Sequence, residues 1–176
     1  EKGLEPLAKW LMIQQPGDPG YKASAFIKGE VKDGEDALKG ACDIIAEWIS
    51  ENERARNTVR GLFRREAVIS SRVVKTKIEE AAKYRDYFEW SEPLYRCSSH
   101  RLLAMRRGEA EGFLKVSISP EDELCIDRLE GPFIKNATAA AAIVSDAVRD
   151  GYKRLLKPSI ETEFAASSKE KANDEA

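Results

Sequence analysis

The sequence predicts a mainly α fold, an irregular multi-helix core carrying one or two short β-strands, one at about 113–119 and a second candidate at 68–74. Three observations predict it. Apolar residues recur at three- and four-residue spacing over most of the chain, the period of a helix with one buried face. Strand-like alternation and β-branched clustering are confined to two short runs, VISSRVV and FLKVSIS. An Ala-rich run, NATAAAAIVSDAVRDGYKRLLKP at 136–158, supplies residues of the highest helix propensity.

Taken in order, LEPLAKWLMIQQ sets Leu4, Leu7, Ala8 and Leu11 on one helical face, and the PGDPG at 16–20 ends that helix in a turn-rich linker. After a short AFI segment, Asp33 with Asp36 three residues on opens a stronger helix, DGEDALKGACDIIAEWI, whose expected buried stripe is Leu38, Ala41, Ile45 and Trp48. Ser50 followed by Glu53 reads as a capping box for the next helix. That helix turns Ala55, Val59, Leu62 and Phe63 inward and runs to about Glu66. VISSRVV fits a strand or an irregular connection equally well. A helix at about 75–88 is expected to bury Ile78, Ala81 and Ala82 and to close with Tyr84, Tyr87 and Phe88.

The stretch SSHRLLAMRRGEAEGFLKV, 98–116, reads as a serine-capped helix, a glycine exit and the start of the strand FLKVSIS, in which Leu114, Val116 and Ile118 share a face. Arg106 falls between Leu102 and Leu103 on the helical wheel, so we expect Arg106 or Arg107 to pair with Glu109, Glu111 or a neighbouring carboxylate. His100 and Arg101 are expected to tie the helix start to adjacent backbone. Ser119-Pro120 reads as the cap and first residue of a helix at about 121–130, broken by Gly131-Pro132. The Ala-rich helix is stopped by Pro158, and Ser159 caps a last helix. The domain reading is a helical core over 1–157 and a terminal helix over 158–176 leading into a following domain.

The charges are many but balanced, 29 Lys+Arg against 31 Asp+Glu for a formal net charge of -2, so no bulk attraction to nucleic acid or membrane is expected. The three cysteines, Cys42, Cys97 and Cys125, are odd in number and set among apolar residues, which reads as reduced thiols of a cytoplasmic protein. No run of about 18 apolar residues and no basic-then-apolar leader is present. The chain starts at Glu1 and ends in KEKANDEA, still helical in character, and so reads as a piece of a longer protein.

Chemistry has little material. Ser98, Ser99 and His100 with Cys97 invite a nucleophile-base reading, but consecutive helical residues point about 100° apart and a capping serine already accepts a backbone N–H. Cys97-x-x-His100 offers two metal ligands where three or four are needed, in a chain with one histidine and no CxxC. Neither glycine-rich phosphate loop pattern occurs. We expect no catalytic residue, no metal and no cofactor. The strong local departure from charge balance lies between Arg54 and Lys77: Arg54, Arg56, Arg60, Arg64, Arg65, Arg72, Lys75 and Lys77, with Glu66 the acid among them. Arg56, Arg60 and Arg64 align on one helix face, a geometry that can follow a phosphate backbone. The competing reading is a solvated face paired with the acid-rich helices, since aromatic residues able to stack bases are not interleaved.

The pattern Ser99-His100-Arg101-x-Leu103-Ala104-x-x-Arg107-Gly108-x-x-Glu111-Gly112-x-Leu114 closely resembles a signature of the Tex family of bacterial transcription accessory proteins. GLEPLA at 3–8, ALKGACDIIAEWI at 37–49, KYRDYFEWSEPL at 83–94 and YKRLLKPSIETEF at 152–164 resemble the same family, collinearly over nearly the whole chain. The resemblance implies a segment from the helical N-terminal half of a larger protein, ahead of a YqgF domain, helix-hairpin-helix motifs and an S1-type (OB-fold) RNA-binding domain. It implies a nucleic-acid-binding, transcription-linked parent whose contacts lie chiefly in those other domains, with the transcription machinery as a further partner and no membrane. No family catalytic residue maps onto this segment, and Ser99, His100, Arg101, Arg107, Gly108, Glu111 and Gly112 read as structural. The leading expectation is a scaffold or binding module; the alternative is direct DNA or RNA contact through the 54–77 basic stripe.

Overall fold

The computed structural model describes residues 3–175, with side chains as far as Ser167. The chain folds as two compact units, Glu1–Val59 with Glu123–Pro158, and Arg60–Asp122 with Ser159–Ala176.

The first unit is helical. Helix α1 (Glu5–Ile13) begins with a proline in its first turn and buries Leu7, Ala8 and Leu11; Leu4, just before it, is also buried. It ends at Gln14, which takes the left-handed conformation (φ 60°, ψ 42°), a position costing an L-residue about 1 kcal/mol or more. The cost is offset by hydrogen bonds. Gln14 is buried; its Nε2 donates to the Phe133 carbonyl (2.6 Å), its Oε1 accepts from Lys135 N (2.8 Å), and its own carbonyl accepts from Asn136 Nδ2 (2.8 Å) and Thr138 Oγ1 (3.3 Å).

Where the sequence reads a linker, a short helix α2 (Pro19–Ser24) forms, because Asp18 accepts from Gly20 N and Pro19 supplies a pre-set first helical φ. In α3 (Gly34–Glu51) Asp33 accepts from Asp36 N (2.8 Å) while the Asp36 carboxylate accepts from Lys32 N (3.1 Å), a reciprocal cap. The buried face of α3 is Ala37, Ala41, Ile45, Ala46 and Ile49; Leu38 and Trp48 are half-buried, contrary to expectation. The buried face includes Ala46, where a Cβ on Gly151 would lie 3.1 Å from the backbone, so small residues occupy the contact. Because α3 runs on to Glu51, Ser50 lies inside it and its hydroxyl donates to the Glu47 carbonyl (2.8 Å). The cap of α4 (Glu53–Glu66) is therefore Asn52, accepting from Ala55 N (2.9 Å), and not the expected Ser50 box.

Helix α6 (Asp122–Phe133) buries Cys125, Ile126 and Leu129 and passes through Gly131-Pro132 instead of breaking there. Pro132 sits in the last turn, where the carbonyl it leaves without a helical partner belongs to the exposed Arg128. Ser119 ends a strand and does not cap this helix; its hydroxyl donates to the Pro120 carbonyl (2.9 Å). Helix α7 (Ala139–Asp150) is capped by Thr138 and buries Ala140, Ala141, Val144, Ala147 and Val148. It passes through a π turn at Gly151–Leu156 directly into α8 (Lys157–Glu175), so Pro158 does not stop it. Lys157 N bonds to Tyr152 O, one residue beyond α spacing. That shift restarts the ladder, and Pro158 falls in the first turn of α8, where proline is tolerated. The expected continuation beyond Ala176 lies outside the described residues.

The second unit holds an antiparallel sheet of order β2-β1-β3, made of β1 (Val68–Val73), β2 (Glu89–Pro93) and β3 (Leu114–Ser119). Both strand readings hold, and β2 was not anticipated because EWSEP is poor in β-formers. Helix α5 (Ser99–Ala110) supplies Leu102 and Met105 to a core shared with Ala67, Ile69 and Ile118. The helix expected at 75–88 is instead two 3-10 segments, Lys75–Lys77 and Ala82–Tyr87. Ala81 and Tyr84 are buried, whereas Ile78 is 49% exposed and Ala82 exposed. The reason is topological: β1 and β2 are neighbours about 5 Å apart, and a straight helix of that length would carry the chain about 20 Å away.

Candidate nucleic-acid interface and the motif helix

Within the first unit, Arg54 is exposed and Arg56 is half-buried, its Nη1 donating to the Ser50 carbonyl (3.0 Å) at the end of the preceding helix. In the second unit, Arg60 pairs with Glu163 of the last helix (3.2 Å). Arg64 and Arg65 are exposed, the Arg65 guanidinium folded back over Gly61, where a Cβ would lie 3.1 Å from its Nη1. Arg72 stands exposed on central strand β1, with Glu89 of β2 opposite on one side and Lys115 of β3 on the other. Lys75 is exposed, and Lys77 makes a surface pair with Glu80 (3.7 Å). Among the described residues, Arg54, Arg64, Arg65, Arg72 and Lys75 form no ion pair. The stripe is thus part structural, at Arg56 and Arg60, and part uncompensated. Lys115 joins Arg72 through strand register, which no sequence period reveals.

The family-motif residues organise α5. The cap is Ser98, immediately ahead of the motif, accepting from Arg101 N (3.2 Å). Arg101 forks Glu92 of β2 through Nε and Nη2, both at 2.9 Å, donates to the Arg96 carbonyl (3.1 Å), and lies over the Trp90 ring. Trp90 Nε1 also donates to Glu92 (2.9 Å). The Arg101 fork, seconded by Trp90, holds the Glu92 carboxyl below the usual carboxylate range. Glu92 and Trp90 escaped the sequence reading; their signal was the KYRDYFEWSEPL resemblance. The His100 side chain is exposed and makes no hydrogen bond among the described residues, so its expected tie to backbone does not form. Ser99 is half-buried.

Arg106 is nearly enclosed, its side chain 11% exposed, and its Nη1 donates to Glu109 at 2.7 Å, the pairing its place on the wheel requires. Arg107 is exposed. Gly108 is buried where a Cβ would meet Leu114 Cδ1 at 2.5 Å and Tyr84 Cδ1 at 3.3 Å, so its lack of a side chain lets α5 lie against β3. Glu111 pairs with Lys83 (3.2 Å), and Gly112 turns the chain at φ +82°. Cys97 is pushed up to about 11, by burial first and then by the Glu92 charge. This environment favours the thiol over the reactive thiolate.

A cavity of about 390 Å³ in the first unit is lined by Lys39, Cys42, Asp43, Asp146, Asp150 and Arg154 among others. Arg154 forks Asp150 (2.9 Å) and reaches Asp43 (3.6 Å), so much of the acidic charge is met within the unit. Cys42 there is pushed up to about 11, chiefly by burial. Among the described residues no group of three or more His, Cys, Asp or Glu is placed to hold a metal ion, and no helix is long and apolar enough to cross a membrane.

Comparison with known proteins places these features. The family model described as Tex central region-like matches residues 14–176. The chain is 31% identical over 192 residues to Protein tex of Bordetella pertussis, covering 100% of this chain and 24% of that protein. It is 37% identical over 124 residues to the Transcriptional accessory protein Tex of Neisseria gonorrhoeae, covering 69% of this chain and 16% of that one. An S1 RNA-binding domain-containing protein 1 from Pongo abelii is 27% identical over 191 residues, 99% of this chain and 19% of its own length. The chain thus spans a quarter or less of each of these relatives.

Proposed function

The chain belongs to the Tex family, and from that premise we propose that it is a non-catalytic helical scaffold within a cytoplasmic, nucleic-acid-binding transcription accessory protein, working without metal or cofactor. The observation that carries this reading is how the family-motif residues are used: Arg101 ties the start of α5 to β2, Gly108 seats the helix on β3, and Gly112 makes the turn between them. Groups so engaged hold a frame. They are not poised to attack a substrate, and the Cys97 thiol is held protonated. The RNA-binding and transcription roles in the relatives' names support a parent in which this frame positions the domains that make contact.

Direct contact is the second reading, favoured by the uncompensated Arg64, Arg65, Arg72 and Lys75. Titrating the chain into fluorescein-labelled oligouridylate at low and rising salt separates the two. The scaffold reading expects no anisotropy change at low salt. Direct contact through three such cations expects an affinity falling with a log–log salt slope of about 2, abolished by reversing Arg64, Arg65 and Arg72 to Glu. Those positions are chosen because reversing Arg56 or Arg60 would also break the Ser50 and Glu163 contacts.

A further inference from the structure

A cavity of about 210 Å³ lies wholly within the first unit, between the start of α4 and the last turns of α6. Its floor is the buried pair Ala55 and Leu129 with Pro132 and half-buried Phe133; Arg54 and Arg128, both exposed, line it from different helices. Phe133 is fixed in place, since its carbonyl accepts from the buried Gln14 side chain (2.6 Å). Neither arginine forms an ion pair with any described residue. We propose that this groove docks an acidic peptide segment of a protein partner, one apolar side chain seated on the floor and flanking carboxylates held by Arg54 and Arg128. The proposal goes beyond the scaffold reading and does not depend on the nucleic-acid reading.

Size, charge and polarity select this occupant. A cavity of about 150 Å³ lined by apolar side chains takes up a benzene ring, so the groove has room for one aromatic or branched aliphatic side chain. Guanidinium forks match carboxylates in two-point geometry, and this pair is left without an acid of its own. A nucleobase fits less well because the floor of Ala55, Leu129, Pro132 and Phe133 meets its edge with apolar side chains. The edge nitrogens and oxygens of a base would be buried there without partners, a penalty that an apolar side chain escapes.

The test uses fluorescein-labelled peptides of the form Asp-Glu-X-Asp-Glu, with X as Phe, Leu, Trp or Ser, titrated with the chain and followed by anisotropy. The apolar-anchored peptides are expected to bind and the serine peptide not to. Arg54→Glu and Arg128→Glu should each raise Kd by about tenfold or more, with Arg128→Lys restoring part of the loss. Both side chains are exposed, so the variants should keep the wild-type circular dichroism and melting profile. Equal binding of the serine peptide, indifference to both charge reversals, or no binding at millimolar peptide overturns the proposal. So does displacement of bound peptide by oligouridylate with Arg128→Glu abolishing oligouridylate binding, which would make the groove a nucleic-acid site.

Discussion

Gly108→Ala tests the claim that the family-motif glycine serves packing. In isolation the change should help, since alanine inside a helix is favoured over glycine by about 1 kcal/mol. In this site the new Cβ would stand 2.5 Å from Leu114 Cδ1, 2.8 Å from its Cγ and 3.3 Å from Tyr84 Cδ1. Leu114 is 3% exposed and Tyr84 5%, so neither can swing into solvent. Overpacking of this kind costs about 1–3 kcal/mol; taking about 2 against the helix gain of about 1 leaves a net loss of about 1 kcal/mol. For a chain of this size that lowers Tm by about 3 °C. The assay is urea unfolding followed by Trp90 fluorescence, with Trp10 and Trp48 replaced by Phe so that the reporter sits in the same unit as Gly108. The decisive arm is the Leu114→Ala background. Truncation alone should cost about 3 kcal/mol by leaving a cavity, and there the added methyl enters vacated space, so Gly108→Ala should turn stabilising by about 1 kcal/mol. The same sign in both backgrounds would refute the reasoning.

Two titration experiments follow from the motif helix and the cysteines. Because the Glu92 carboxyl is depressed in the folded chain, by Arg101 first, its contribution to stability is fully present above the ordinary carboxylate range of about 4.3 and is lost as pH falls through the folded value. Glu92→Gln should therefore flatten the acid side of the Tm–pH curve, and unchanged steepness would show that the fork contributes nothing. Cys42 and Cys97, each pushed up to about 11, should react with iodoacetamide near pH 8 about a hundredfold more slowly than a free cysteine. Their alkylation rates, read by peptide mass spectrometry, should still be climbing above about pH 10; a plateau near about pH 9 would contradict the burial argument. Glu92→Gln should speed alkylation of Cys97 and leave Cys42 unaffected.

Local chemistry was legible where it is local. The cap at Asp33, the inward face Ala55, Val59, Leu62 and Phe63, and the Arg106 pairing all follow from spacing along one helix. Readings failed where a distant segment decided the outcome. Leu38 and Trp48 are only half-buried on α3, whose buried face includes Ala46, the residue that Gly151 approaches closely. The helical pattern at 75–88 gave way because its ends belong to adjacent strands, with Val73 N bonded to Phe88 O and Val74 N to Phe113 O. Gly-Pro at 131–132 and Pro158 read as stops, yet one sits in the last turn of its helix and the other in the first, where proline costs little.

The candidate sites divide the same way. By itself the sequence determined the helical class, the inventory of cations from Arg54 to Lys77, and through its motif the family, because composition, period and residue identity are properties of the chain. Only the tertiary structure decided which cations are compensated, setting Arg60 on Glu163 and leaving Arg64, Arg65 and Arg72 open. It alone put Arg101 on Glu92 and brought Arg128, Pro132 and Phe133 beside Arg54. An ion pair or a groove needs two segments at a few ångströms, and one-dimensional spacing does not encode the distance between residues that lie far apart along the chain.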